Sequence, residues 1–359
     1  METSTDTLLS ANRLALIGNL ENRRIQQFCE ACEELGYPEP TCLAYEEILD
    51  DPRVLGSLAE HTVRLDSPGE NQRLSNRLIA LGGGPKDANL EFGEIAFSKE
   101  YHLGYCEVLQ WIETSGLNCM NSPSEISVMF DKWASHERFL EQSVARPPSQ
   151  MAQFDFANFR NQAPRSGQVF LKPLHGSSAS GVCAFRWSGS KMILFSPLKI
   201  VKGKLFNDLR VTRYENELEI KFILDNLLPQ GMIMEHWIPK LSLPKGAVDV
   251  RVLVISGEAR HRVVRQSVHP MTNLHLGNQR GDERELINTL GPEKWRAVLL
   301  LAEQAAACFP NSLSVGVDIL IDVSGRCFVL EVNAFGDLLP RLKDRGQTTY
   351  EALAQELCA

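Results

Sequence analysis

The hairpin sequence that decides the fold reads SVGVDILID at residues 314–322 and, after a short turn, CFVLEVNAFG at residues 327–336. Three oxygen-bearing side chains interrupt these otherwise apolar strands: Asp318, Glu331 and Asn333. Glu331 and Asn333 share a face, because side chains alternate along a strand. Acids inside an apolar strand are costly unless they are paired or bind a cation. The hairpin therefore indicates either a Mg²⁺ site, since Mg²⁺ takes a few protein oxygens beside water and phosphate, or acids that cap strand ends on a solvated face.

A second hairpin is predicted upstream, where residues 248–258 alternate and continue through residues 259–266. Arg251 shares a face with Asp249, and Arg265 in the following strand can face the same cleft. Because the sequence alone does not define the register between two strands, a row of solvated arginines is the alternative.

A glycine- and serine-rich segment joins two further predicted strands. Residues 169–173 read VFLKP, residues 176–181 read GSSASG, and the next strand begins at Val182. Backbone N–H groups and hydroxyls of such a loop can surround phosphate oxygens while Lys172 supplies a positive charge. An ordinary flexible hairpin is the alternative, because Ser/Gly loops are common.

The N-terminal part of the chain has the pattern of an open α/β layer. An apolar run over residues 13–17 precedes a helical pattern that ends at Gly36, and a second strand is predicted at residues 61–65. The glycines at positions 82–84 lack phosphate-loop spacing and are interpreted as a plain loop. Cys29 and Cys32 form a CxxC within the helix; core packing is favoured over metal, because no second Cys/His pair follows at zinc-finger spacing.

The length of 359 residues favours two or three folding units. We predict an N-terminal α/β domain over residues 1–120, a central unit over residues 121–200 and a C-terminal unit with the metal site over residues 201–359. The hydrophobic share of 43% and the charged share of 23% are those of ordinary globular proteins. The net charge of −8 and the lack of a basic block disfavour nucleic acid and anionic membranes as partners.

The beginning of the chain is polar and acidic, and no stretch reaches about 18 uncharged apolar residues. Nine cysteines in such a chain are typical of free thiols in a reducing compartment. We therefore expect a cytoplasmic protein.

The order and spacing of these segments resemble the ATP-grasp superfamily, and within it the branch of ribosomal-protein glutamate ligases and glutathione synthetases. The similarity extends from about Asn121 to Gly336. It is carried, in chain order, by Asp131-Lys132, Lys172, Met234-Glu235, Asp249-Val250-Arg251, Arg265, Asn273 to Gly277, Val315 to Asp318, and Glu331-Val332-Asn333. The resemblance implies that the N-terminal open α/β domain is followed by a two-lobed ATP-grasp fold.

The same resemblance implies a role for each matching residue. ATP would be held by the cofactor-binding residues Lys132, Lys172, Ser177, Ser178, Gly181, Glu235, His236 and Ile238. The two lysines would contact the phosphates, and Glu235 would lie near the adenosine. Mg²⁺, or Mn²⁺ in its place, would be held by Asp318, Glu331 and Asn333. The catalytic residues near the γ-phosphate and the acyl group would be Arg251, Arg265 and Asn273.

The reaction implied is an ATP-dependent carboxylate–amine ligation through an acyl phosphate, with a small-molecule or peptide carboxylate and an amine as substrates. Phosphoryl transfer needs positioning and charge neutralisation more than a covalent nucleophile. A nucleotide-binding accessory protein and a phosphotransferase are the alternatives, and a homo-oligomer stays open. His275 is a candidate for proton transfer, with a hydrogen-bonding loop histidine as the alternative.

The chain departs from that branch after the Glu-x-Asn motif, where a Pro-Gly is expected. It reads AFGDLLP at residues 334–340, with an additional acid at Asp337. Asp337 can pair with a cationic amine, and a solvated loop acid is the alternative. In the N-terminal domain Arg64, Asp66 and Glu70 are candidates for substrate contact, against turn and cap roles.

Overall fold

Three β-sheets organise the protein in the computed structural model, which describes residues 13–152, 155–176 and 179–358. One sheet has four strands, and the other two have six each. Helices pack beside each sheet, so the predicted α/β class is confirmed. Within the described ranges, no helix combines the length and apolar character needed to cross a bilayer.

The N-terminal sheet is parallel, with strand order β2-β1-β3-β4. Its strands are β1 (Arg13–Gly18), β2 (Thr41–Ala44), β3 (His61–Leu65) and β4 (Asn118–Cys119). Its helices are α1 (Arg23–Glu34), α2 (Tyr45–Asp50), α3 (Gln72–Leu81) and α4 (Ser98–Thr114). Residues 14–17 are buried without alternation, as expected of a parallel strand that is covered on both faces. The strand, turn and helix predicted at this end of the chain are confirmed.

Two helices, α5 (Pro123–Phe130) and α6 (Lys132–Glu141), connect this domain to an antiparallel central sheet. The central strands are β5 (Ser149–Met151), β6 (Ser166–Pro173), β7 (Cys183–Ser188), β8 (Lys191–Val201), β9 (Lys204–Tyr214) and β10 (Met232–His236). They lie in the order β5-β10-β6-β7-β8-β9, and two helices, α7 (Phe156–Gln162) and α8 (Glu217–Leu227), accompany them. The glycine- and serine-rich segment joins β6 to β7, which pair antiparallel as predicted.

The boundary predicted between residues 200 and 201 falls inside β8, and the central sheet continues to His236. Strand β9 has only two buried residues, Leu205 and Tyr214, so its sequence lacks the apolar alternation that identifies a strand. The central lobe therefore takes in about 35 residues that the sequence analysis assigned to the C-terminal unit.

The C-terminal sheet is antiparallel, with strand order β14-β13-β12-β15-β16. Its strands are β11 (Ser242–Leu243), which pairs with β12, then β12 (Gly246–Ile255), β13 (Glu258–Ser267), β14 (Gln279–Arg280), β15 (Ser314–Ile321) and β16 (Cys327–Asn333). Its helices are α9 (Glu283–Leu290), α10 (Pro292–Ala307) and α11 (Thr349–Cys358). Both hairpins predicted in this part of the chain, β12–β13 and β15–β16, are confirmed.

The main hydrophobic core joins the first and third sheets, whereas the second sheet has a cluster of its own and contacts the C-terminal lobe through a small cluster of Ala184, Met271 and Leu276. One cluster contains Ile17 and Leu78 of the N-terminal domain together with Val250 and Val317 of the C-terminal lobe. The central lobe is packed around its own cluster, which includes Phe185. The cleft between the lobes is thus bordered on one side by the jointly packed first and third sheets and on the other by a sheet that is packed mainly around its own cluster.

The CxxC pair lies in α1 and contributes to packing. Cys32 is fully buried in a cluster with Phe28 and Tyr350, and Cys29 is half-buried against the same cluster. Burial raises the pKa of Cys32 to about 11, so its thiol stays protonated at neutral pH. The predicted core role is confirmed.

Helices α3 and α4 cross at glycines, which allow their backbones to touch. A Cβ atom on Gly104 would lie 1.9 Å from the carbonyl oxygen of Leu78, and one on Gly82 would lie 1.9 Å from that of Glu100. Because backbone atoms cannot yield as a flexible side chain can, α4 is held at this distance from α3 only while both positions lack a side chain.

We expect Gly104→Ala to reduce the free energy of unfolding by about 1–3 kcal/mol, because overpacking forces the two helices apart. Gly56→Ala is the matched control, since a Cβ atom there meets nothing within 4 Å. Chemical denaturation of both variants measures the effect. Equal stability of the Gly104 variant and the wild type would contradict the tight crossing.

Candidate active site

A cavity of about 250 Å³ lies where the three sheets meet. Its wall includes Glu70 from the N-terminal domain, Lys172 from β6 and Glu331 from β16. A second cavity of about 90 Å³ shares Lys172 and Glu331 with the first. The two cavities thus lie on either side of the same charged residues.

The acidic hairpin has the register that the metal prediction needs. Asp318 lies directly opposite Glu331, and Gly316 lies opposite Asn333. Directly paired residues of an antiparallel ladder point to the same face, so Asp318, Glu331 and Asn333 share one face of the sheet. The register shifts immediately after Asp318, where the regular pairing is interrupted.

Two arginines hold Asp318. Arg251 donates from Nε to Oδ1 and from Nη2 to Oδ2 at 2.9 Å, and Arg265 donates from Nη1 to Oδ2 at 3.1 Å. Burial alone would raise the pKa of Asp318, but the two guanidinium groups outweigh it and lower the pKa, so the carboxylate stays ionised. The prediction that Arg251 and Arg265 line one cleft is confirmed.

The same network extends to the next strand. Arg265 donates from Nε to Oδ1 of Asp249 at 2.7 Å, and Lys240 donates to Oδ2 of Asp249 at 3.1 Å and to Oγ1 of Thr272 at 2.7 Å. Asp249 and Arg265 are direct cross-strand partners, which brings their side chains together on one face. Lys240 was not singled out from the sequence, because it follows a strand in an irregular segment without any motif.

The oxygen set of the hairpin fits a divalent cation. The side chains of Asp318 and Glu331 lie within hydrogen-bonding range of one another. Two ionised carboxylates at that distance repel each other unless a proton or a cation lies between them. With the amide oxygen of Asn333 beside them, these are hard oxygen donors of the type that Mg²⁺ prefers.

The basic residues predicted for the nucleotide border the same cleft. Lys172 pairs with Glu235 at 2.7 Å between Nζ and Oε1, across the neighbouring strands β6 and β10. Lys132 donates from Nζ to the carbonyl oxygen of Gly176 at 2.8 Å, which ties it to the start of the glycine- and serine-rich loop. Burial lowers the pKa of Lys132, and the charge of Glu331 partly opposes this. Both lysines and both acids thus line the larger cavity together.

The other predicted residues distribute between the two cavities. Asn273 lines both of them, while His236 and Ile238 line the smaller one. Gly181 is not among the lining residues described for either cavity, whereas its neighbour Val182 is. The predicted loop residues Ser177 and Ser178 lie outside the described residues.

His275 lines the larger cavity and stays neutral at physiological pH. Burial lowers its pKa, and the nearby positive charges of Arg24 and Arg251 lower it further. The neutral imidazole can accept a proton. Asn273 accepts a hydrogen bond from the backbone N–H of His275 at 3.0 Å and begins a short 3₁₀ turn over Leu274–Leu276, which places both side chains at the cavity wall.

The prediction for Asp337 is wrong in both of its forms. Asp337 is 3% exposed, so it is not a solvated loop acid. Its carboxylate forms ion pairs with two arginines instead of pairing with a cationic amine of a substrate. Arg24 donates from Nη1 to Oδ1 at 2.6 Å, and Arg64 donates from Nη2 to Oδ2. Both arginines come from the N-terminal domain. The pairing was not visible in sequence, because Asp337 lies 273 residues from Arg64 and 313 residues from Arg24.

Arg64 and Asp66 are likewise not substrate contacts. Each is 1% exposed, and neither is among the residues that line the described cavities. Arg64 donates to Asp66 at 3.2 Å and lies with its guanidinium 4.9 Å from the ring centre of Phe28 and 5.2 Å from that of Tyr350. The two rings thus make cation–π contacts with the guanidinium, whose Nε and Nη1 atoms have no hydrogen-bond partner. Of the three candidates, only Glu70 lines the larger cavity.

Arg24 was missed by the sequence analysis, although it lines the larger cavity. It lies in the first turn of α1, directly after Arg23. A positive charge at a helix N-terminus opposes the helix dipole. An arginine at this position is unfavourable for the helix itself. That feature of the sequence could have identified Arg24 as a residue with a function outside the helix.

Comparisons with known proteins agree with this geometry. The model of the YheC/D-like ATP-grasp family matches residues 125–357. Among solved structures, ATP-grasp ligase PsnB complexed with minimal precursor is 17% identical, with a TM-score of 0.52 over 97% of this chain and 98% of PsnB. D-cycloserine synthetase DcsG is 15% identical, with a TM-score of 0.56 over 96% and 100%.

D-alanine–D-alanine ligase from Bacillus anthracis, complexed with ATP, is 13% identical, with a TM-score of 0.54 over 97% of this chain and 95% of the ligase. At such identities the likeness concerns the fold. No curated protein matches the chain by sequence.

We expect Asp337→Asn to reduce the free energy of unfolding by about 3–5 kcal/mol, because it removes the buried charge that Arg24 and Arg64 share and leaves Asp66 as their remaining acid. The matched control is Asp51→Asn, which removes an acid from an ion pair with the exposed Arg53 and should change stability by less than about 1 kcal/mol. Chemical denaturation measures both. A loss below about 1 kcal/mol in the Asp337 variant would show that the buried pair contributes little.

Proposed function

Because the chain belongs to the YheC/D-like ATP-grasp family, we propose that it is an ATP-dependent carboxylate–amine ligase that acts through an acyl phosphate. The superfamily predicted from the sequence is confirmed, and the matching family model is the YheC/D-like one. The observation that carries the proposal is the network in which Asp318 is shared by Arg251 and Arg265 beside Glu331. It combines a candidate cation site with two guanidinium groups on one face of a sheet.

In this proposal ATP lies in the cleft between the central and C-terminal lobes. Lys132 and Lys172 would contact its phosphates, and Glu235, His236 and Ile238 would lie towards the nucleoside. The smaller cavity, which His236 and Ile238 line, would take the nucleoside, and the larger one would hold the reacting groups. This arrangement is supported by the position of Lys172 and Glu331 at the wall of both cavities.

Asp318, Glu331 and Asn333 would hold Mg²⁺, or Mn²⁺ in its place. When bound, the ion supplies positive charge to the phosphate oxygens during transfer. The chain also supplies positive charge of its own beside these carboxylates. Arg251 and Arg265 both pair with Asp318, so its buried charge has two cationic partners beside Glu331.

The proposed reaction has two displacements. A carboxylate oxygen of the first substrate forms a bond to the γ-phosphorus, and ADP leaves. The amine of the second substrate then forms a bond to the acyl carbon, phosphate leaves, and the ammonium proton is released. Arg251 and Arg265 would stabilise the developing charge, Asn273 would orient the acyl group, and the neutral His275 is the candidate acceptor for the proton.

The substrate classes follow from the character of the larger cavity. Arg24 and His275 can face an anionic or polar group, whereas Glu70 can face a cationic one. Glu70 has a left-handed backbone, with φ of 67°, and accepts a hydrogen bond from Asn22 at 3.2 Å, so its carboxylate is held at the cavity. A non-glycine residue in that conformation is strained, and such strain is often retained at functional sites. We propose an amino acid, a peptide or a small carboxylate as donor.

The solved relatives span both substrate sizes. PsnB was solved with a minimal precursor, and DcsG is a D-cycloserine synthetase. An assay of ADP release against pooled amino acids, peptides and small carboxylates, followed by mass analysis of the product, tests the proposal. A new amide would support it; phosphate on a hydroxyl group would contradict it in favour of a phosphotransferase, and ATP binding without turnover in favour of an accessory protein.

We expect Lys172→Ala and Glu331→Ala each to weaken ATP binding in the presence of Mg²⁺ by about 2–5 kcal/mol, because each removes one partner of a desolvated charge pair. Lys191→Ala is the control, since Lys191 is an exposed lysine of the same central sheet. Calorimetric titration with ATP measures the affinities. Unchanged affinity in both site variants would contradict the assignment.

We expect Arg265→Lys to lower kcat by about 10² or more and to change ATP affinity only modestly. A guanidinium bridges Asp249 and Asp318 in one plane, and an ammonium group cannot reproduce both contacts. Arg262→Lys is the matched control on the same strand, because Arg262 pairs with Glu283 instead. Hydroxylamine trapping of the acyl phosphate gives an independent readout. Full turnover of a correctly folded Arg265 variant would show that the residue has no such role.

A further inference from the structure

Two histidines, an aspartate and a cysteine that the proposed reaction does not use lie together behind the glycine- and serine-rich loop. His102 and Cys106 are one turn apart on α4, Asp131 precedes α6, and His175 follows β6. The ligand atoms of His102, Asp131 and His175 all lie within 4.8 Å of one another. In the part of the chain that the structure describes, this is the one such group of three metal-ligating residues.

Asp131 and His175 each have a ligand atom to spare. Asp131 uses Oδ1 to cap α6, where it accepts from the backbone N–H groups of Trp133 at 2.8 Å and Ala134 at 3.0 Å. Its Oδ2 lies 4.0 Å from Nδ1 of His175. That Nδ1 atom is buried and has no hydrogen-bond partner, and the His175 side chain as a whole is only 11% exposed. An orphaned buried nitrogen beside a free carboxylate oxygen costs free energy unless a ligand satisfies it.

The chemistry of the group suits a transition-metal ion better than Mg²⁺. Sγ of Cys106 lies 3.4 Å from Nε2 of His102, which adds a sulfur to two imidazoles and a carboxylate. Nitrogen and sulfur ligands in a set of four are typical of Zn²⁺, whereas Mg²⁺ takes oxygens. Burial lowers the pKa of both histidines, to about 4 for His175, so both imidazoles are neutral as metal binding requires.

We propose that His102, Cys106, Asp131 and His175 form a binding site for one zinc-like divalent ion that links the N-terminal domain to the start of the glycine- and serine-rich loop. Asp131 and His175 already face each other as paired residues of an isolated β-bridge. The next residues along the chain, Lys132 and Gly176, are joined by a hydrogen bond. An ion at this place would therefore hold α4 against the backbone from which the loop and Lys132 extend.

Binding requires a small rearrangement of the side chains. The imidazoles of His102 and His175 are stacked, with centroids 3.9 Å apart and planes at 7°, so their lone pairs run side by side. The rings must turn so that two nitrogens face one ion. The distances between ligand atoms, which now reach up to 4.8 Å, must shorten to about 3.4 Å, the spacing in a tetrahedral zinc site. The Cys106 thiol, whose pKa burial raises to about 11, gives up its proton to solvent on binding. A cavity of about 270 Å³, lined by His102 and His175, gives an ion access from solvent.

The test uses Zn²⁺ and Co²⁺ with the full chain in excess Mg²⁺, which saturates the proposed Asp318 site. We expect one equivalent of Zn²⁺ after desalting, an increase in melting temperature, and the intense visible bands of tetrahedral Co²⁺ with a thiolate charge-transfer band. Asp131→Asn preserves the helix cap and His175→Ala removes a ligand, so both should weaken binding at least roughly 10-fold. Cys106→Ser, close in size, should retain Co²⁺ without the charge-transfer band.

His269→Ala is the control for non-specific binding, because His269 is exposed and lies outside both the proposed zinc site and the proposed Mg²⁺ site. It should bind Zn²⁺ as the wild type does. Zinc binding that is absent from the wild type, or that is equal in the wild type, His175→Ala and Asp131→Asn, would overturn the proposal. These metal measurements do not depend on turnover, so they are independent of the proposed ligase activity.

Discussion

The sharing of one carboxylate, that of Asp318, between two arginines is the interaction on which the candidate site depends. Arg251 and Arg265 come from neighbouring strands, and Asp249 and Lys240 complete the network on its other side. Taking so many charges out of water is expensive, and the cost is recovered only when every charge has partners in good geometry. Three adjacent antiparallel strands meet that demand, because their ladders fix the separation of the side chains. The ion pairs of the candidate site are therefore held in place by the pairing of the strands.

The second constraint is the attachment of the N-terminal domain. Its core is continuous with that of the C-terminal lobe, and the buried contact of Arg64 with Asp337 adds a charged link between them. Asp337 follows the hairpin that carries Glu331 and Asn333 by only a few residues. The N-terminal domain thus positions the loop that borders the candidate cation site. Arg24 pairs with the same Asp337 and lines the larger cavity. The N-terminal domain, which lies outside the residues that the family model matches, in this way contributes to the wall of the candidate site.

The central lobe contributes from a separately packed body. Lys172 is held by Glu235 across two strands of its sheet, and Lys132 is held by the carbonyl oxygen of Gly176 at the start of the loop. Because this lobe has its own hydrophobic cluster, the cleft is bordered by two units that share few core residues. The stacked histidines, His102 and His175, lie where α4 of the N-terminal domain reaches that loop. They are a point at which the two bodies meet through polar groups.

The sequence by itself determined the local elements and the kinds of chemistry they carry. Alternation with a period of two identified β12 and β13, and apolar runs on either side of a short turn identified β15 and β16. Polar residues inside those strands identified the candidate acids and arginines. Such signals are local, since a few neighbouring residues suffice to set which face a side chain occupies.

Only the tertiary structure decided which of these side chains meet. The pairing of Arg64 with Asp337 joins residues 273 positions apart, and β9 joined the central sheet through pairing with β8 rather than through its own apolar pattern. Asp318 proved to be held by two arginines because the register placed Arg251 directly opposite it. Register and long-range contact depend on how whole sheets pack, and a one-residue slip would turn each of these charges to the other face. Contacts throughout the core contribute to the free energy that favours one register, so the register cannot be predicted from any single stretch of sequence.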